Sequence, residues 1–183
     1  MKGLLLNMTA GFVASVITSG CAATMTVSSH VDRTLNFAQY RTFDWGPPDA
    51  LPTGDPRLDG NPFFKDHVQG AVERGLATRG LELRSSGPPD LLIHYHANIS
   101  ERIDVNNADR VYGYCGAADC PAETVRYEAG TLVLDFIDPR TNKLVWRGWA
   151  QNSVEDMIRN QDRMAKTIDQ AVAEMLRRLP PMP

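Results

Sequence analysis

Two alternating apolar runs constrain the fold more than any other feature of this chain: Val125 to Asp138 and Lys143 to Glu155, separated by Pro139-Arg140-Thr141-Asn142. Alternation at period two puts every second side chain on one sheet face, and a proline-led four-residue break between two such runs reads as a hairpin turn. Leu132, Leu134 and Phe136 share one face, as do Leu144, Trp146 and Gly148. So apolar a face has to be covered, and two segments have the period to cover it. Asn61 reads as an N-cap with Pro62 at the first helical position, followed by Phe64, Val68, Ala71, Val72 and Leu76 at spacings of three and four, with Gly80 as the stop. A second helix is expected from about Asn160 to Leu179, with Met164, Ile168, Ala171, Val172 and Met175 on one stripe and Pro180-Pro181 ending it.

Further strands are expected at Thr24 to Asp32, Arg41 to Trp45, Leu81 to Arg84 and Asp90 to Ile99. Residues 46–60, rich in proline and glycine, and residues 103–122 read as loops. The economical packing lays both helices on one face of a mainly antiparallel sheet. The expected fold class is therefore α+β, a two-layer sandwich in a single domain over residues 21–183, with the strand order left open. Trp146 is expected in the core beneath a helix, and Trp149, of opposite parity, nearer the surface.

Residues 1–20 have the charge, length and exit of a secretory signal: Lys2, a short apolar run broken by Asn7 and Thr9, then Ser19-Gly20-Cys21. The run is shorter than the roughly 20 mostly apolar residues of a spanning helix. Its end resembles the lipobox of bacterial lipoproteins, with Thr18 where the pattern usually has leucine. That resemblance implies that Cys21 is acylated and becomes the mature N-terminus, anchoring the chain to a membrane. Ala22 resembles cargo sorted to the outer membrane in Gram-negative bacteria, which places the domain in the periplasm. The first strand is expected within about five residues of Cys21, a tether reaching about 15 Å at full extension.

The remaining cysteines, Cys115 and Cys120, form an even pair in an oxidising setting and are expected to be disulfide-bonded, closing a short loop preceded by Tyr112 and Tyr114. That loop is the best interaction candidate in the sequence. Nineteen Lys and Arg against 22 Asp and Glu leave a formal net charge of −3 with no dense basic stretch, which argues against a nucleic-acid partner.

Candidate chemistry is sparse. His94 and His96 share one face of a strand and could ligate a metal if Asp135 or His30 joined them, but the plainer reading is a pair of polar residues on the less buried face, and no metal or cofactor is assigned. If residues 137 and 145 are opposite in the hairpin, Asp135 faces Arg147, a cross-strand ion pair flanked by Val133 and Trp149 that pins the register. No catalytic constellation or phosphate-cradling loop has recognisable context.

The residues also resemble the DUF4136 group of bacterial lipoproteins. The pattern is carried by Asp32, Phe37, Tyr40, Thr42, Phe43 and Trp45, by Pro89-Asp90-Leu91, by Tyr127, Gly130, Leu132, Asp135 and Asp138, and by Leu144-Val145-Trp146-Arg147-Gly148. The resemblance implies an envelope lipoprotein domain and assigns no site. Three functions follow. The favoured one is a non-catalytic module that binds another envelope component; the others are a small-molecule or lipid-binding domain, and an enzyme using His94, His96 or Asp135.

Overall fold

The computed structural model describes residues 25–47, 55–84, 86–105, 124–154 and 157–182. Six strands, β1 (Thr26–Val31), β2 (Thr42–Trp45), β3 (Glu82–Leu83), β4 (Leu91–Val105), β5 (Thr124–Asp138) and β6 (Lys143–Ser153), form one sheet in the order β1-β6-β5-β4-β2-β3. The first three pairings across it are antiparallel, and β2 lies parallel to both β4 and β3. Among the described residues three α-helices accompany it: α1 (Pro56–Asp59), α2 (Pro62–Ala77) and α3 (Gln161–Leu176). The α+β class and the packing of α2 and α3 on one sheet face follow the expectation.

Helix ends form where the local chemistry dictates. The Asn61 side chain accepts the Phe64 N–H at the start of α2, and Asn160 does the same for Arg163 at the start of α3. At the end of α2, Gly80 takes a φ of 80°, so that its own N–H reaches Ala77 O and the N–H of Leu81 reaches Leu76 O. Only a residue without a Cβ enters that left-handed turn freely.

Two expectations about element boundaries are corrected. Residues 46–60 are not uniformly loop: Asp55 accepts the Arg57 N–H and Pro56 opens α1, the same cap-and-proline pair that begins α2. The strand from Asp90 does not stop at Ile99. It runs to Val105, because β5 offers an unbroken register from Leu92↔Ile137 to Val105↔Thr124.

The core lies between the sheet and the two long helices. From the sheet it takes Phe43, Leu91, Ile93, Leu132, Leu134, Phe136 and Trp146, and from the helices Val68, Val72, Leu76, Met164, Ile168, Val172 and Met175. Trp146 is fully buried, with its ring centroid 4.8 Å from that of Phe136. The far edge of its six-membered ring lies over Gly148, where an added Cβ would come within 2.3 Å of the indole, so glycine is what allows the ring to sit against the strand.

A β-bulge between Phe136 and Ile137 alters the turn end of the hairpin. Asp135 faces Arg147 and Phe136 faces Trp146, but Ile137 faces Leu144 rather than Val145. Val145 is the extra residue and is buried, while Leu144 is 37% exposed. The expectation that Leu144 shares the face of Trp146 fails for this reason: one inserted residue inverts the parity of everything beyond it.

Candidate functional site

The sheet face opposite α2 and α3 collects the sequence candidates. Register places His30, Arg147, Asp135 and His94 in one row across β1, β6, β5 and β4, and Ser28, Trp149, Val133 and His96 in the next. Arg147 donates twice to Asp135, Nε to Oδ1 at 2.6 Å and Nη2 to Oδ2 at 2.5 Å, and Asp135 is buried. Those bonds raise the Arg147 pKa further against the opposing effect of partial burial. The second row brings His96 Nε2 to 3.6 Å from Asp135 Oδ2. The His94 ring instead occupies the space above Gly46, 2.0 Å from where a Cβ would stand. Among the described residues no three His, Cys, Asp or Glu converge on a point that could hold a metal ion.

Burial depresses the pKa of His96; Asp135 works against this, and His94 and Arg147 reinforce it. The imidazole is therefore neutral at pH 7, and its approach to Asp135 is a polar contact rather than an ion pair. In the unfolded chain a histidine titrates near 6.5. The unfolded state thus binds more protons below that pH, and stability falls as pH drops through the folded-state pKa. Urea denaturation at pH 7.5 and pH 5 will show a smaller acid loss in His96→Gln than in the parent; an equal loss in both assigns the effect to other groups.

The remaining buried and half-buried carboxylates hold strands and turns together. Asp138 accepts from Arg140 through its backbone N–H at 2.8 Å and guanidinium Nη2 at 2.9 Å, and Tyr40 Oη donates to it at 3.4 Å. The Arg140 hydrogen bonds hold Asp138 below the usual carboxylate range, while burial and then the Asp138 charge push Tyr40 up. Asp90 Oδ2 accepts from the N–H groups of Arg41 and Thr42 at 2.9 and 3.0 Å and from Thr42 Oγ1 at 3.1 Å. Partial burial works to raise the Asp90 pKa, but these donors outweigh it and hold the group low. The carboxylate thereby ties the start of β2 beside β4. Arg57 bridges Asp55 and Glu128 at 2.8 and 3.0 Å, fastening α1 to β5.

An apolar recess lies on the helix side of the sheet. Its walls include Met25, Leu58, Phe64, Ile99, Met157 and Ile168, and it opens to solvent with a cavity volume of about 50 Å³. None of its described lining residues is ionisable. Nothing in the sequence pattern announces it, because its walls come from eight separate elements and connections.

Cys21, Tyr112, Tyr114, Cys115 and Cys120, together with the leader 1–20, lie outside the described residues. Within the described residues no helix is long and apolar enough to cross a membrane.

No curated protein sequence matches the chain. Among solved structures, the fold is similar to a PDZ domain protein from Parabacteroides distasonis, at 16% identity and a TM-score of 0.55 over 85% of this chain. This chain spans 36% of that protein's length. It is less similar to the PelC dodecamer from Paraburkholderia phytofirmans, at 8% identity and a TM-score of 0.48 over 84% of this chain and 95% of that one. Such likenesses concern the fold alone. The model of the family described as Domain of unknown function (DUF4136) matches residues 27–181, and the chain belongs to that family.

Proposed function

We propose that this protein is an envelope lipoprotein, held to the membrane through acylated Cys21, whose domain is a non-catalytic interaction module. One observation carries the reading: the polar residues of the family pattern are occupied in holding the fold. Asp90 clamps β2 to β4, Asp138 holds the hairpin turn and Tyr40, and Asp135 is bonded twice by Arg147. The apolar recess has walls without ionisable groups among the described residues. A general acid or base needs a titratable group beside the space its substrate fills, and none lines that recess. An apolar recess of this volume has room for about four methylene-sized groups, well below a typical ligand pocket. The lipid or small-molecule reading is therefore secondary.

The anchor is tested first. Stable attachment takes more than one acyl chain, so Cys21→Ser will move the protein from the membrane to the soluble periplasmic fraction. Retention of that variant after a high-salt wash overturns the lipoprotein reading. The module is tested by affinity capture from membranes, with the native protein expected to retain a defined envelope component that a surface-scrambled domain loses.

In the same reading Cys115 and Cys120 are bonded in the exported protein. Alkylation of denatured, unreduced protein taken from the periplasm is expected to label neither thiol. Labelling of both refutes the bond.

A further inference from the structure

We infer that β1 is an interface strand through which two copies of this chain pair edge to edge. β1 ends the sheet, and among the described residues no strand pairs with its outer side. Its sequence, Thr26-Val27-Ser28-Ser29-His30-Val31, contains no proline, lysine, arginine, aspartate or glutamate, and its pairing with β6 is continuous, without a bulge. Sheet edges left to solvent are ordinarily blunted by such residues or irregularities, because an unguarded edge templates further pairing.

The rest of the sheet shows that guarding. β3, at the far end, has only two residues, one of them the charged Glu82, and is soon followed by Gly87-Pro88-Pro89. The ribbon formed by β4 and β5 beyond Ser100 carries Glu101, Arg102 and Glu128. Only β1 offers a full strand without charge. A β1-to-β3 contact could engage two residues at most, so the productive contact is β1 with β1 of a second copy, an isologous pairing that closes at two.

A two-fold axis perpendicular to the sheet keeps both helical layers on the same side and sets residues of equal parity opposite one another. Centring the pair on Ser29 brings Val27 opposite Val31 of the second copy. Both valines are half-buried and packed against the core, so the apolar layer continues across the junction. On the open face Ser28 meets His30, and no like charges are opposed. A partner strand of different sequence would not inherit this self-complementarity. Six residues of edge bury less than the 1,200 Å² or so of a stable complex, so pairing depends on high local concentration, as on a membrane.

The test uses purified full-length chain with Cys21, Cys115 and Cys120 replaced by serine. Single cysteines are introduced as Ser29→Cys, Thr26→Cys or Lys65→Cys, and the protein is oxidised at high concentration, with circular dichroism confirming the fold of each. Ser29→Cys is expected to shift from monomer to covalent dimer. Thr26→Cys, whose two copies stand about 20 Å apart at 3.3 Å per residue, and Lys65→Cys on α2 are expected to remain monomeric. A second measurement needs no substitution: amide exchange in β1 of the native chain will slow as protein concentration rises. Equal cross-linking at all three positions, or β1 exchange that is independent of concentration, overturns the inference; slowing that requires addition of another envelope protein assigns the edge to that protein instead.

Discussion

Replacing Trp146 with alanine will lower the stability of the domain by about 3–5 kcal/mol, and replacing Trp149 will cost less. Trp146 is fully buried, packs on Phe136 at 4.8 Å and fills the space above Gly148, so its removal opens a cavity that the strand below cannot close by itself. Trp149 points to the other face, opposite Val133, and is half-buried. A loss of 3–5 kcal/mol is a large fraction of the 5–15 kcal/mol typical of a domain. Trp146→Phe will cost much less than alanine, because it keeps most of the ring and removes an indole N–H that has no hydrogen-bond partner among the described residues. Urea denaturation of the three variants checks this. A greater loss at Trp149 than at Trp146 would contradict the assignment of the buried face.

The second large effect is expected at Arg147. Its two bonds to Asp135 are the direct compensation for a carboxylate whose side chain is only 7% exposed. Arg147→Ala leaves that charge facing a neutral imidazole, and the expected loss is about 2–4 kcal/mol, at the lower end of what breaking a buried pair costs because the arginine itself is partly solvated. The double variant Asp135→Leu/Arg147→Leu will recover most of the loss, since it leaves no buried charge behind. Denaturation midpoints of the single and double variants decide the point; a double variant as unstable as the single would mean that the pair does more than compensate its own desolvation.

Local chemistry made much of this fold legible. Asn61-Pro62 and Asn160 marked helix starts because caps act within one turn, and the alternation in β5 marked the core face because a strand has only two faces. The Asp135–Arg147 pair was also readable, although the assumed opposition of residues 137 and 145 was displaced by the bulge. That bulge was not readable, since an extra residue leaves no mark on an apolar pattern in which Leu144, Val145 and Trp146 are all acceptable core residues. Strand order was not readable because it rests on pairings between segments far apart in the chain, β1 with β6 and β2 with β4, the latter tied by Asp90 meeting Thr42, 48 residues earlier, and no local rule supplies such contacts. The helix α1 is hard to read although Asp55-Pro56 repeats the signal at Asn61-Pro62, because the surrounding prolines and glycines mask it. The recess leaves no sequence mark for a related reason: its walls become neighbours only after the sheet and helices have docked.

The extension of β4 and β5 beyond their neighbours bears on how such a protein can diversify. Val105 and Thr124 form the last pair of the ribbon, so the ends of the segment 106–123 are held at the spacing of adjacent strands by hydrogen bonds remote from the core. With its ends fixed in this way, a connecting segment gains only about 0.6 kcal/mol of closure cost for each doubling of its length. The cost of changing the length of a flexible connection between two ends so fixed would therefore fall mainly on the connection and reach the body of the sheet only weakly. The ribbon thus sets a fixed take-off point, about one strand spacing wide and well removed from the core, for whatever joins Val105 to Thr124.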